Sequence, residues 1–77
     1  MKKIALIGST GSIGRQVVSV VLRYPERFRI VAAAANANAS LFAEQIARLR
    51  PAFAVLRRES AARALPPAPP GTRFAAG

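Results

Sequence analysis

Apolar and polar positions along the chain change period several times, and each change marks an element. Ile4-Ala5-Leu6-Ile7 is a continuous apolar run. It predicts a strand over residues 3–8, covered on both faces as in a parallel sheet. Residues 12–23 switch to helical spacing, with Ile13, Val17, Val20 and Val21 forming one apolar stripe. Valine has middling helix propensity, so packing rather than propensity must hold this helix. Pro25 stops it by disfavouring helix at Tyr24. Arg29 to Ala34 then reads as a second strand, although its alanines alone would suit a helix. The spacing decides in favour of a strand, because a right-handed strand–helix–strand unit needs about 30 residues and 3–34 fits.

The same alternation continues. Asn36-Ala37-Asn38-Ala39-Ser40 is a polar turn, followed by an amphipathic helix over Leu41–Arg50. Leu41, Ala43 or Gln45, Ile46 and Leu49 are in register, Asn38 or Ser40 can cap its start, and Pro51 ends it. Phe53-Ala54-Val55-Leu56 is a third short strand, and Glu59 to Leu65 suits a short helix. Prolines at 66, 67, 69 and 70, with Gly71, predict an extended surface loop over 66–71. Thr72-Arg73-Phe74 begins a fourth strand. The order β-α-β-α-β-α-(β) is that of an α/β, Rossmann-like parallel sheet. The chain is expected to be a truncated βαβαβ portion of a dinucleotide-binding domain, with 1–77 its N-terminal part and the catalytic and C-terminal domains absent.

The turn between the first strand and helix carries the chemistry. Gly8-Ser9-Thr10-Gly11-Ser12-Ile13-Gly14 spaces its glycines as G-x-x-G-x-x-G. This is one residue longer than the G-x-G-x-x-G of many dinucleotide-binding turns. Gly8 permits a positive φ where the strand stops, and Gly11 removes a Cβ where a pyrophosphate would approach. Gly14 lets the helix pack closely against the strand. The helix N-terminus presents backbone donors to an anion, and the Thr10 and Ser12 hydroxyls add side-chain donors. No Gly-Lys-Ser/Thr follows, which excludes a P-loop. At the end of the second strand, where NAD enzymes place a carboxylate for the ribose, stands Ala35-Asn36-Ala37-Asn38. With no acid there to repel a 2′-phosphate, the composition leans towards NADP, although no Arg or Lys stands at that place.

Composition narrows the rest. Across 77 residues there is no cysteine and no histidine, and the only carboxylates are Glu26, Glu44 and Glu59, far apart in sequence. Disulfides, thiolate chemistry, Cys/His zinc sites and paired-carboxylate catalysis are excluded, so the chain contains no catalytic and no metal-binding residue of its own. The net charge of +9 comes mostly from scattered arginines, with no basic helix or nucleic-acid motif. These arginines are expected to decorate solvated faces or to pair with acids in other parts of a larger protein, and no nucleic-acid partner is expected. The apolar run after Lys2-Lys3 is too short for a signal peptide or membrane span, so no membrane and a cytoplasmic location are expected. Only 6% of residues are aromatic, and alanine buries little area at about 25 cal/mol per Å². Against an ordering cost of roughly 1–2 kcal/mol per residue, a free-standing domain would be marginal.

The string Lys3 to Gly14, then Pro25-Glu26 with Phe28, Val31-Ala32, Asn38, Glu44-Gln45, and Pro51 before Ala54-Val55 closely resemble the N-terminus of the 1-deoxy-D-xylulose 5-phosphate reductoisomerase family. The match is good over residues 1–56 and looser beyond. The resemblance implies a metal-dependent (Mg or Mn), NADPH-dependent enzyme of non-mevalonate isoprenoid synthesis. Such an enzyme rearranges a phosphosugar and reduces the aldehyde to 2-C-methyl-D-erythritol 4-phosphate, acting as a homodimer. It also implies that Thr10, Gly11, Ser12 and Ile13, with Asn36, Ala37 and Asn38, hold the cofactor; Gly8 and Gly14 join the expected cofactor site through the turn geometry given above. The family usually has Gly, then a basic or hydroxyl residue, then Asn in the second segment, and here only Asn38 agrees. The family's catalytic, metal and substrate-phosphate residues lie beyond residue 77, so this chain alone is expected to be inactive. Two other readings are a fragment of another NADP-dependent reductase with a G-x-T-G-x-x-G turn, such as a semialdehyde dehydrogenase, and a non-catalytic basic binding module.

Overall fold

The computed structural model describes residues 1–74; the last three residues of the expected 1–77 portion lie outside the described residues. Four parallel strands lie in the order β1-β2-β3-β4: β1 Lys2–Ile7, β2 Phe28–Ala35, β3 Phe53–Leu56 and β4 Arg73–Phe74. Between them run α1 Ser12–Arg23, α2 Ala39–Leu49 and the single turn α3 Glu59–Ala62. α1 has its expected limits. α2 starts two residues before the expected Leu41 because Asn38, not Ser40, is the cap, its Oδ1 accepting from the Leu41 N–H at 3.2 Å. It ends with Arg50 in the left-handed region at φ 47°, and Pro51 bars its continuation. α3 stops at Ala62, with looser turns bridging to Leu65.

The alanines of β2 are strand, as the spacing required. Ala32, Ala33 and Ala34 pair with Ala5, Leu6 and Ile7 on one side and with Phe53, Ala54 and Val55 on the other. One extra residue, Val31, interrupts the register between Ile4↔Ile30 and Ala5↔Ala32. That bulge reverses the alternation, so Ile30 can share a face with Ala33 and Ala35. On this face Phe42 and Ile46 of α2 and Val18 and Val21 of α1 complete the core with Ala54 and Leu56. The thin alanines leave room for the ring of Phe42, which is fully buried.

Two expectations about this core are corrected. β1 is not covered on both faces: Ala5 and Ile7 are exposed, Ile7 by 82%. Each right-handed crossover steps the same way along the sheet, which places all three helices on one side. The second correction concerns the inward stripe of α1. Its buried residues are Gly14, Val18 and Val21, whereas Ile13 and Val20 are exposed. Close contact of Gly14 with the turn before it rotates the helix, and the 13–17–20 edge instead faces an apolar groove beside Ile4 and Phe28. No helix among the described residues is long and apolar enough to cross a membrane.

Candidate dinucleotide site

The glycine turn sits where β1 ends. Gly8 takes φ +77°, a conformation that costs an L-residue roughly 1–2 kcal/mol. It aims two successive N–H groups, of Gly8 and Ser9, at the single carbonyl of Ala34 at 2.8 and 3.1 Å. The Gly11 N–H then donates to the Gly8 carbonyl at 3.0 Å and closes the turn. Gly11 is the N-cap of α1 and its carbonyl accepts from the Arg15 N–H, but no side chain caps the helix and no acid stands in the first turn. Among the described residues, the N–H groups of Thr10, Ser12 and Ile13 reach no protein acceptor. An uncapped helix start with free donors and the positive end of its dipole is suited to an anion.

The glycines here divide their tasks by space. A Cβ on Gly11 would meet only the Gly8 carbonyl, at 3.4 Å, so the position faces open solvent. A Cβ on Gly14 would stand 2.0 Å from the Gly8 oxygen and 2.7 Å from the Ser9 Cα. Gly14 therefore brings the helix onto the backbone of the turn itself, not onto the strand before it. Ile13 and Ser12 are exposed at the mouth, and Thr10 is half-buried. Ser9 is fully buried beneath them.

A residue from α2 holds this turn from behind. Gln45, 6% exposed, donates its Nε2 to the Ser9 carbonyl at 2.8 Å across 36 residues of chain. The Ser9 Oγ and Gln45 Oε1 beside this bond are buried without protein partners. Sequence reading placed Gln45 only as one choice for an inward helix position. A long amide on an otherwise apolar stripe was the available signal, since a buried amide needs a partner.

The second expected segment lies across from the turn. Asn36 is exposed, Ala37 half-buried, and Asn38 spends its Oδ1 on the α2 cap, accepting from both Leu41 N–H and Ser40 Oγ. A small cavity of about 120 Å³ connects the two loops, lined by Ile7, Gly8, Ala34, Ala35, Asn36 and Arg57. Arg57 and Arg58 follow β3 and are tied to the end of β2: the Arg57 N–H donates to Ala35 and the Arg58 N–H to Asn36, at 2.9 and 2.8 Å. No carboxylate lines this cavity. Asn36 and Arg57 thus belong to one rim although 21 positions separate them, and the sequence pattern had placed no cation there. Among the described residues, no group of three or more acidic, His or Cys side chains could hold a metal ion.

The residues that carry this turn and the loop after β2 fall within a stretch that matches known proteins. The sequence model of the 1-deoxy-D-xylulose 5-phosphate reductoisomerase family matches residues 4–76. The 1-deoxy-D-xylulose 5-phosphate reductoisomerase of Anaeromyxobacter sp. (strain K) is 50% identical over all of this chain and 20% of its own length. That of Moorella thermoacetica is 49% identical over 99% of this chain and 20% of its own. Among solved structures, the Zymomonas mobilis enzyme in complex with NADPH superposes with a TM-score of 0.82 at 28% identity, covering 99% of this chain and 21% of that one. The chain therefore spans about a fifth of the length of the relatives it matches. Sequence and fold agree over the same residues that build the glycine turn, and the chain belongs to the 1-deoxy-D-xylulose 5-phosphate reductoisomerase family.

Proposed function

We propose that this chain supplies the first part of the NADPH site of an enzyme that converts 1-deoxy-D-xylulose 5-phosphate into 2-C-methyl-D-erythritol 4-phosphate. The observation that carries the reading is the uncapped start of α1, with free N–H groups on Thr10, Ser12 and Ile13 beneath an open Gly11. When bound, NADPH supplies the hydride that reduces the rearranged aldehyde. The residues here bind and orient. The N–H groups of Thr10, Ser12 and Ile13, and the Thr10 and Ser12 hydroxyls, donate to the pyrophosphate. Gly8 and Gly11 admit it close to the backbone, while Gly14 keeps the helix start pressed against the turn. Asn36, Ala37 and Asn38 border the adenosine ribose, where the lack of a carboxylate removes repulsion against a 2′-phosphate. Among the described residues no group of three or more His, Cys, Asp or Glu side chains fits the divalent cation that the family resemblance implies.

The test is a chimera in which this chain replaces the matching fifth of the Anaeromyxobacter sp. enzyme. Substrate-dependent loss of NADPH absorbance, with formation of the methylerythritol phosphate, is the expected result. A chimera that folds, binds the phosphosugar and yet neither binds nor consumes NADPH would overturn the reading.

A further inference from the structure

We propose that Arg57, supplied from the end of β3, is the residue that recognises the 2′-phosphate of the cofactor. The inference rests on the NADPH reading above and names the specificity determinant that the expected segment lacks. In a parallel dinucleotide-binding sheet the adenosine ribose sits beyond the end of β2, and the side chains there decide between a free 2′-hydroxyl and a 2′-phosphate. Here that position carries two asparagines and an alanine. Asn36 and Asn38 bring only neutral amides, Asn38 oriented by its Oδ1 accepting at the α2 cap, and the Ala37 side chain has nothing to offer a phosphate. The segment cannot neutralise a dianion by itself.

Strand order brings the missing charge. β3 lies next to β2 in parallel, with Leu56 opposite Ala35, so the residue after β3 lands beside the residue after β2. The Arg57 N–H to Ala35 and the Arg58 N–H to Asn36 continue the ladder past the strands and fix that neighbourhood. Arg57 lines the small cavity that Gly8 and Asn36 also line, and the residue is exposed at that rim. It is the one cation lining that cavity, and among the described residues it forms no ion pair; the single salt bridge is Arg63–Glu59. Its planar fork suits two phosphate oxygens at once, which a lysine does not reproduce. An arginine with no carboxylate partner, at the edge where a 2′-phosphate would lie, has the right charge and geometry for discrimination.

The test compares NADPH with NADH, and 2′,5′-ADP with 5′-AMP, by calorimetric titration of the chain and of the Anaeromyxobacter chimera, each with and without Arg57→Ala. The substitution is on an exposed side chain, so the fold is kept, with circular dichroism as the check. The expected result is a loss of roughly 10- to 100-fold in affinity for NADPH and 2′,5′-ADP, the range of a charge-assisted bond, with NADH and 5′-AMP unchanged. Arg57→Lys should recover part of the loss, and Ala37→Lys in the Arg57→Ala background should restore a preference for the phosphorylated nucleotides. Equal losses for both members of each pair, or no loss, would overturn the assignment of Arg57 while leaving the cofactor reading intact. An unsubstituted chimera that binds no dinucleotide at all would overturn both.

Discussion

Replacing Gly14 by alanine tests whether the helix really rests on the turn. In an ordinary helix this change stabilises by up to about 1 kcal/mol, since glycine is a poor helix former. Here the added Cβ would lie 2.0 Å from the Gly8 carbonyl oxygen, 2.7 Å from the Ser9 Cα and 2.8 Å from the Gly8 carbonyl carbon. All three neighbours are backbone, so no side chain can swing away. Ordinary contact begins at 3.4 Å, and α1 must therefore retreat by well over an ångström. Retreat separates Val18 and Val21 from the core and pulls the free N–H groups away from their places above the turn. Overpacking against rigid neighbours costs up to about 3 kcal/mol, which outweighs the gain in propensity and leaves a net loss of roughly 2 kcal/mol. In a domain of this size that corresponds to a fall in melting temperature of about 10 °C. Thermal denaturation followed by far-ultraviolet circular dichroism, on the chain and on the chimera, measures it directly. A Gly14→Ala variant that melts at or above the parent temperature would refute the close approach, and with it the explanation for the rotated stripe of α1.

Three further substitutions separate the other tasks at the site. Gly11→Ala adds a Cβ at only ordinary contact distance, so thermal stability should hold while NADPH affinity, read by fluorescence titration, falls because the new methyl stands where the pyrophosphate approaches. Gln45→Leu removes the donor to the Ser9 carbonyl; leaving that oxygen buried and unpaired should cost about 1–3 kcal/mol in urea denaturation and weaken NADPH binding, whereas an unchanged midpoint would mean that water already serves the carbonyl. Asn38→Ala deletes the α2 cap and should cost about 1 kcal/mol of stability, and Asn38→Ser should restore most of it by the same measurement.

Much of the fold was readable because its punctuation is covalent. Pro25 and Pro51 bar helix, Gly8 takes the positive φ its position implied, and the spacing of strands overrode the helical composition of Ala32–Ala35. What could not be read depended on contacts between distant parts. Four valines and an isoleucine give α1 two plausible apolar edges, and only the approach of Gly14 to the turn selects the one through Val18. Phe42 escaped the stripe assigned to α2, yet it is the largest fully buried side chain. The both-face burial assigned to β1 failed because an apolar run reports that a strand is apolar, not how many layers cover it. The positive φ of Gly8 and the close packing at Gly14 were legible from local spacing, while the contact made by Gln45 and the placement of Arg57 were not. Each reaches the site across the fold, one by 36 residues from Ser9 and the other through the pairing of β3 with β2.

That division follows from how such a site is assembled. Backbone donors can be encoded locally, since a turn and a helix start lie within seven residues of one another, and the glycines that shape them stand in the same string. The groups that stiffen the turn and set its charge come from outside it, because the positions inside hold glycines and short or uncharged side chains. Gln45 meets the Ser9 carbonyl because α2 crosses back over the sheet beside α1. Arg57 stands at the rim beyond β2 because β3 is the neighbour of β2, so that residues following both strands share that rim. A cation missing from the loop after β2 can thus be provided by the loop after β3 without any change of fold. On the proposed role of Arg57, cofactor preference in this chain is a property of two adjacent loops, and the loop after β2 holds only half of it.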